Sequence, residues 1–179
     1  SAVYVAGRVR RARAELGLPL VLENIAYYAH MPGSNWSEGQ FVTRVLQECD
    51  AGLLLDVSNV VVNARNHSLD PKRALDALPL ERTVQIHLAG HRFEPALKLA
   101  LDDHASPVSD ESLALYEYAL RRIGRPVPTL IEWDQRLPAL ETLLDQADRV
   151  RARQAAVFAD RLSCVEPRAE AAQSRAGAR

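Results

Sequence analysis

The 179 residues, 47% of them apolar and 25% charged, suffice for one core of ordinary size in a globular domain. A net charge of −1 with scattered basic residues offers no general attraction to phosphate backbones or anionic membranes, which argues against nucleic acid and membrane as partners. No apolar run reaches the roughly 18 residues of a membrane span and no secretory signal opens the chain, while Cys49 and Cys164 lack the spacing of a zinc ribbon or disulfide framework, so a reducing cytoplasm is the expected location.

The chain opens on SAVYVAGRVRRARAELGLP, where Val5, Val9, Ala12 and Leu16 recur at helical spacing opposite a row of arginines. LVLEN at 20–24 is the first of four short runs rich in Val, Ile and Leu; the others are GLLLDV at 52–57, TVQIHLA at 83–89 and PTLIEW at 128–133. Such runs predict buried parallel strands, apolar on both faces. Between the first two lies SEGQFVTRVLQECD, opened by a capping box of Ser37 and Gln40. DPKRALDAL follows the second, with Asp70 as cap and Pro71 at the first helical position. SDESLALYEYALRRIG places Leu113, Tyr116, Ala119 and Leu120 on one face and stops at Gly124. A last helix, LPALETLLDQADRVRARQAAVF, enters near Pro138. Residues 1–158 are read as one domain and the Ala/Arg-rich residues 159–179 as a disordered tail.

Strand and helix alternate every roughly 30 to 45 residues, the rhythm of a parallel α/β fold. No Gly-rich phosphate loop follows a strand, which favours a barrel over a dinucleotide-binding sheet. A complete (β/α)8 barrel takes about 250 residues, so four strands with their helices predict half of a TIM barrel.

Each predicted strand carries, at or near its end, a residue that a buried strand does not want: Glu23, Asp56, His87 and Glu132. Any one of them alone is explained by an ion pair or a backbone amide. In a parallel barrel, however, the C-terminal strand ends share one mouth, where these side chains converge. Three carboxylates in a low-dielectric site need positive charge to stay ionised, and a divalent cation supplies it. Asp102 and His104, in ALDDHASPV, stand two apart in a loop at the same mouth, so an extended backbone aims both to one side. Asn59, three past Asp56, is a candidate ligand or a plain turn residue. Asn24 is a candidate for polar contact with substrate, with bonding to backbone as the alternative. His91, beyond Gly90, either faces the substrate or is a loop histidine; His67 is weaker still, and His30 reads as surface. Trp133 and Asp134 read as core packing and a helix cap. Lys98 is the only lysine near the proposed ligands.

The segments LVLENIAYYAHMPGSNWSEGQFVTRV, GLLLDVSNVVVNARNHSLDP, LDALPLERTVQIHLAGHRF, LDDHASPV and TLIEWDQRLPALETLL together resemble the multinuclear non-heme iron-dependent oxidative enzymes, over roughly residues 5–150. The resemblance implies the C-terminal half of a TIM barrel of the xylose isomerase-like kind. Its mouth would bind two or three iron ions and use dioxygen to modify cysteine or neighbouring residues of ribosomally made peptides. It also implies a partner protein that recruits the leader of the precursor peptide. The ligand order of the wider group falls on Glu23, Asp56 and Asn59, His87, Asp102 and His104, and Glu132, with His91 and Asn24 left as candidates for contact with the reacting groups. Two departures stand out. The family's first four strands, with two further metal-binding histidines, are absent, and Asp103 replaces the commoner threonine between Asp102 and His104. The chain is therefore expected to be a fragment, inactive by itself. A zinc phosphodiesterase of the endonuclease IV type, a sugar isomerase and a non-catalytic scaffold are the alternative readings.

Overall fold

A computed structural model describes residues 2–30 and 32–163, with side chains up to Ala159. Helix α1 (Ala2–Leu16) leads to β1 (Val21–Glu23), α2 (Glu38–Cys49) and β2 (Gly52–Asp56). Helices α3 (Val57–Asn66) and α4 (Pro71–Asp76) carry the chain back to β3 (Thr83–Ala89). A hairpin of β4 (Arg92–Glu94) and β5 (Leu99–Leu101) follows, then α5 (Asp110–Ile123), β6 (Thr129–Glu132) and α6 (Leu140–Ser163). Strands β1, β2, β3 and β6 form one parallel sheet in that order. This is an α/β fold consistent with part of a TIM barrel, as the alternation of elements predicted.

The local signals act as expected. Ser37 Oγ accepts the Gln40 N–H and the Gln40 side chain accepts the Ser37 N–H, closing the capping box of α2. Asp70 caps α4 with Pro71 behind it, Ser109 caps α5, and Gly124 ends α5 at φ +83°, a conformation glycine adopts without steric cost. Helix α6 continues to Ser163, past the expected start of the tail at 159; the rest of that tail, with Cys164, lies outside the described residues. Among the described residues no helix is long and apolar enough to cross a membrane.

The two faces of the sheet differ. Leu53, Leu55, Ile86 and Leu88 are fully buried and meet Leu46, Val61, Tyr116 and Leu120 of the helices. Each such side chain contributes ~1.5–3 kcal/mol by leaving water. The alternate residues occupy the opposite face, where Val21, Val84 and Leu130 stay 39%, 48% and 45% exposed. Thr83 and Gln85 of β3 pair with the consecutive Leu53 and Leu54, so Val84 is the extra residue of a bulge. Among the described residues β1 and β6 are the sheet edges, and a groove of about 570 Å3 lined by Leu130, Ile131, Leu143 and Val150 runs beside β6. The half-barrel thus leaves one sheet face and both edges open, with its polar residues gathered at the C-terminal strand ends.

Candidate metal centre

Strand ends and the helix that follows β2 build the first part of the site. Asp56 ends β2 and is the N-cap of α3: its Oδ1 accepts the Asn59 N–H at 2.7 Å. Asn24, 1% exposed, spends both ends of its amide on the Asp56 main chain, at 2.8 and 2.9 Å. The structure thus places Asn24 where its alternative reading put it, bonding to backbone and locking the end of β1 to the end of β2. Asn59 lies in α3 rather than in a turn and donates its amide to the Asn24 carbonyl at 3.1 Å. What remains is the buried Oδ2 of Asp56 and Oδ1 of Asn59, neither with a hydrogen-bond partner.

His87 sits level with Asp56 on β3 and is 9% exposed. Its Nδ1 lies 3.4 Å from Glu23 Oε1 and 3.3 Å from Glu132 Oε2 yet makes no hydrogen bond. The Gln85 side chain meets Nε2 at 3.2 Å. The atom in contact is the Gln85 amide nitrogen, which holds the ring with Nδ1 facing the carboxylates.

Asp102 and His104 reach the same place from the loop after β5. Asp102 Oδ1 and His104 Nε2 lie 2.8 Å apart, and neither has a hydrogen-bonding partner of proper geometry. At that distance the Asp102 carboxylate and the His104 ring pair with each other. The Asp102 N–H donates to Tyr28 Oη at 3.1 Å. His104 Nδ1 lies 3.6 Å from Glu132 Oε2 and 3.1 Å from Asp134 Oδ2. Asp134 therefore faces His104 and does not cap α6, which starts only at Leu140.

Two groups of ligand atoms result, one from Glu23, Asp56, His87 and Glu132, the other from His104, Glu132 and Asp134, each within 4.8 Å of one another. Glu132 belongs to both, the position of a carboxylate that bridges two ions. Electrostatics agrees. Burial pushes the Asp56 carboxyl up to about 7, helped by the charges of Asp102 and Glu23. Glu23 and Asp102 are likewise raised, burial again being the main cause. Burial opposes the charged form of His104, but Asp102, Asp134 and Glu132 outweigh it and hold its pKa above the ordinary value. Among the described residues Glu23, Asp102 and Glu132 find only imidazoles as ion-pair partners. Buried Asp56, the more exposed acids beside it, orphaned donor atoms and a mixed imidazole–carboxylate set fit a divalent metal such as iron, manganese or zinc.

The other candidates fall elsewhere. His91 is half-buried, its Nδ1 is without a partner, and burial together with Arg65 lowers its pKa. His67 stacks on Tyr27 at 4.3 Å and meets the Tyr27 carbonyl through Nε2, with exposed His30 beside it; neither joins the metal groups. Lys98 is exposed on the β4–β5 hairpin, and half-buried Trp133 donates its indole N–H to the Gln135 carbonyl. Sequence reasoning missed Asp134, Gln85 and Tyr28. Asp134 and Gln85 carried one usable signal, a spacing of two from Glu132 and from His87.

Outside the cluster, Glu38 is a half-buried acid at the start of α2. Asn63 donates to its Oε2 at 3.3 Å, Oε1 has no partner, and burial pushes its pKa up to about 7. The folded state therefore binds this proton more tightly than the unfolded chain, whose carboxyl titrates near 4.5. Its stabilising effect is complete below pH 4.5 and is lost as pH rises to about 7. Glu38→Gln should melt like the parent at pH 4.5 and be more stable at pH 8 by on the order of 2–3 kcal/mol. Denaturant midpoints across that range test this; a constant difference would refute it.

Residues 1–155 match the model of a family described as the RiPP precursor modification enzymes MbnB/TglH/ChrH, RiPPs being ribosomally made, post-translationally modified peptides. A UPF0276 protein of Acaryochloris marina is 42% identical over 146 residues, covering 82% of this chain and 52% of that protein. Those of Shewanella amazonensis and Bordetella bronchiseptica are each 43% identical, over 157 and 140 residues, covering 87% and 76% of this chain and 55% and 48% of theirs. The chain spans about half the length of the curated relatives it matches. Match and identity together show that the chain belongs to the MbnB/TglH/ChrH family of RiPP precursor modification enzymes.

Proposed function

We propose that this chain carries one half of a multinuclear iron centre that uses dioxygen to modify cysteine or neighbouring residues of a ribosomally made precursor peptide. The observation that carries the reading is Glu132, common to two ligand groups in a chain of this family. Glu23, Asp56 and His87 would hold one ion, His104 and Asp134 the other, with Glu132 between them. Asp102 and the Asn59 amide oxygen stand ready to complete the coordination. Ferrous ions held by these residues would supply electrons and open positions for dioxygen and a substrate thiolate.

The chain's own residues do the rest. Gln85 keeps Nδ1 of His87 turned toward the acids, and Asn24 holds Asp56 in register with Glu23. His91 is the candidate to accept the proton of an incoming cysteine thiol, since its ring is half-buried and its Nδ1 has no partner. A separate leader-binding protein would deliver the peptide, as the resemblance implies. A third ion and the remaining ligands fall to residues outside this chain.

Anaerobic loading of the chain with ferrous ion and Mössbauer spectroscopy test the centre. About two bound irons per chain, oxidised when air is admitted, are expected. Uptake of zinc alone, with no response to oxygen, would overturn the oxidase in favour of the phosphodiesterase, and no uptake of any metal would favour the scaffold.

A further inference from the structure

Asp103 stands between two candidate ligands but belongs to neither ligand group. Its side chain is only 14% exposed, and its Oδ2 lies 3.1 Å from Arg92 Nε and 3.1 Å from Arg136 Nη2. Its Oδ1 is buried without a partner, so both cations act through one oxygen. The two arginines come from different segments: Arg92 opens β4, and Arg136 lies between β6 and α6. Arg92 is itself steadied by Glu94 at 2.6 Å. One carboxylate thus ties together the hairpin after β3, the segment bearing Asp102 and His104, and the loop bearing Asp134.

The main chain is fastened at the same junction. The Asp134 and Gln135 N–H groups both donate to the His104 carbonyl, at 2.9 and 3.3 Å. His104 and Arg136 sit at φ +46° and +49°, left-handed conformations that non-glycine residues hold only when their surroundings impose them. Asp102 and His104 meet each other and Glu132, whereas the Asp103 carboxylate meets the two arginines. Asp103 is therefore gripped from behind while its neighbours face the cluster.

We propose that Asp103, clamped between Arg92 and Arg136, is a positioning residue that holds Asp102 and His104 in ligand geometry without binding the ion itself. The inference rests on the reading of Asp102 and His104 as metal ligands. Loss of a residue that orients metal ligands typically weakens metal binding by ~10–100-fold. Arg136 is 70% exposed, so its pairing adds little to stability in water, and its effect belongs in metal affinity rather than in the melting temperature.

The test titrates Mn2+ into the full metal-free chain and its Asp103→Asn, Arg136→Gln and Arg136→Lys variants, with the EPR spectrum of the bound ion as a second readout. Asp103→Asn should weaken Mn2+ by ~10–100-fold and change the spectrum, and Arg136→Gln, which removes one exposed pair and leaves Arg92 in place, should weaken it by a smaller factor of up to about fivefold. Their combination should be no worse than the more damaging single change. Arg136→Lys, which keeps the single charged contact, should recover most of the affinity. If Asp103→Asn fails to fold, Arg136→Gln decides the matter. Parent-like binding in the variants would overturn the proposal. So would loss in Asp103→Asn with none in Arg136→Gln, which would make Asp103 a ligand. A parent chain that takes up no Mn2+ would instead refute the metal reading of the cluster, and this proposal with it.

Discussion

Glu132→Gln should weaken metal binding at both candidate ligand groups. Glu132 Oε2 lies 3.3 Å from His87 Nδ1 and 3.6 Å from His104 Nδ1, and both ligand groups include it. The amide keeps the shape of the side chain but removes the charge that two cations would share. Affinity should fall by at least about 100-fold, beyond the ~10–100-fold that follows loss of a residue that only orients a ligand. Glu23→Gln touches a single group and should spare the other ion. The metal-free variant should melt no lower than the parent, because removing one of several crowded, desolvated acids relieves repulsion. Metal stoichiometry and melting temperature, measured on the same samples, separate the cases. Retention of both ions by Glu132→Gln would rule out the shared carboxylate.

A methyl group at Gly90 should be nearly as damaging, through space rather than charge. A Cβ there would stand 1.9 Å from the Ser106 carbonyl oxygen and 2.4 Å from its carbon. These are backbone atoms two residues past His104, so relief requires moving the loop that carries Asp102 and His104. Overpacking of this kind costs ~1–3 kcal/mol, and contact with main chain places Gly90→Ala at the upper end. A fall in melting temperature of about 6–12 °C follows for a domain of this size. Mn2+ affinity should fall with it, since the loop is displaced. A variant with parental melting temperature and affinity would mean that the close approach of Gly90 to Ser106 is not rigid.

The two sites of damage show how function and fold share the same few contacts. Gly90 ends the strand that bears His87 and makes room for the loop that bears His104. The bonded Asn24–Asp56 pair likewise both closes the sheet end and sets the spacing of two acids. A residue here is therefore structural or functional only by which consequence is measured.

Among the described residues, the four strands of the parallel sheet, five of the six α-helices and the strand-end set Glu23, Asp56, His87 and Glu132 were legible from sequence, because their signals are local. Apolar runs, caps and helical spacing depend on residues two to four apart. Helix α3 escaped because Val60, Val61 and Val62 have weak helix propensity, and residues 57–64 are all buried. Their packing, with Asp56 as cap, overrides local preference. The β4–β5 hairpin escaped because its strands are three residues each and draw support from the Asn66 side chain, which bonds both polar groups of Ala100. Sequence alone determined which chemistry the strand ends carry: buried acids and an imidazole that call for a cation. Only the tertiary structure decided which of them meet. Whether an amide such as Asn24 serves backbone or substrate, and whether Asp134 caps a helix or faces His104, depends on partners some 30 residues away, and no local pattern encodes that distance.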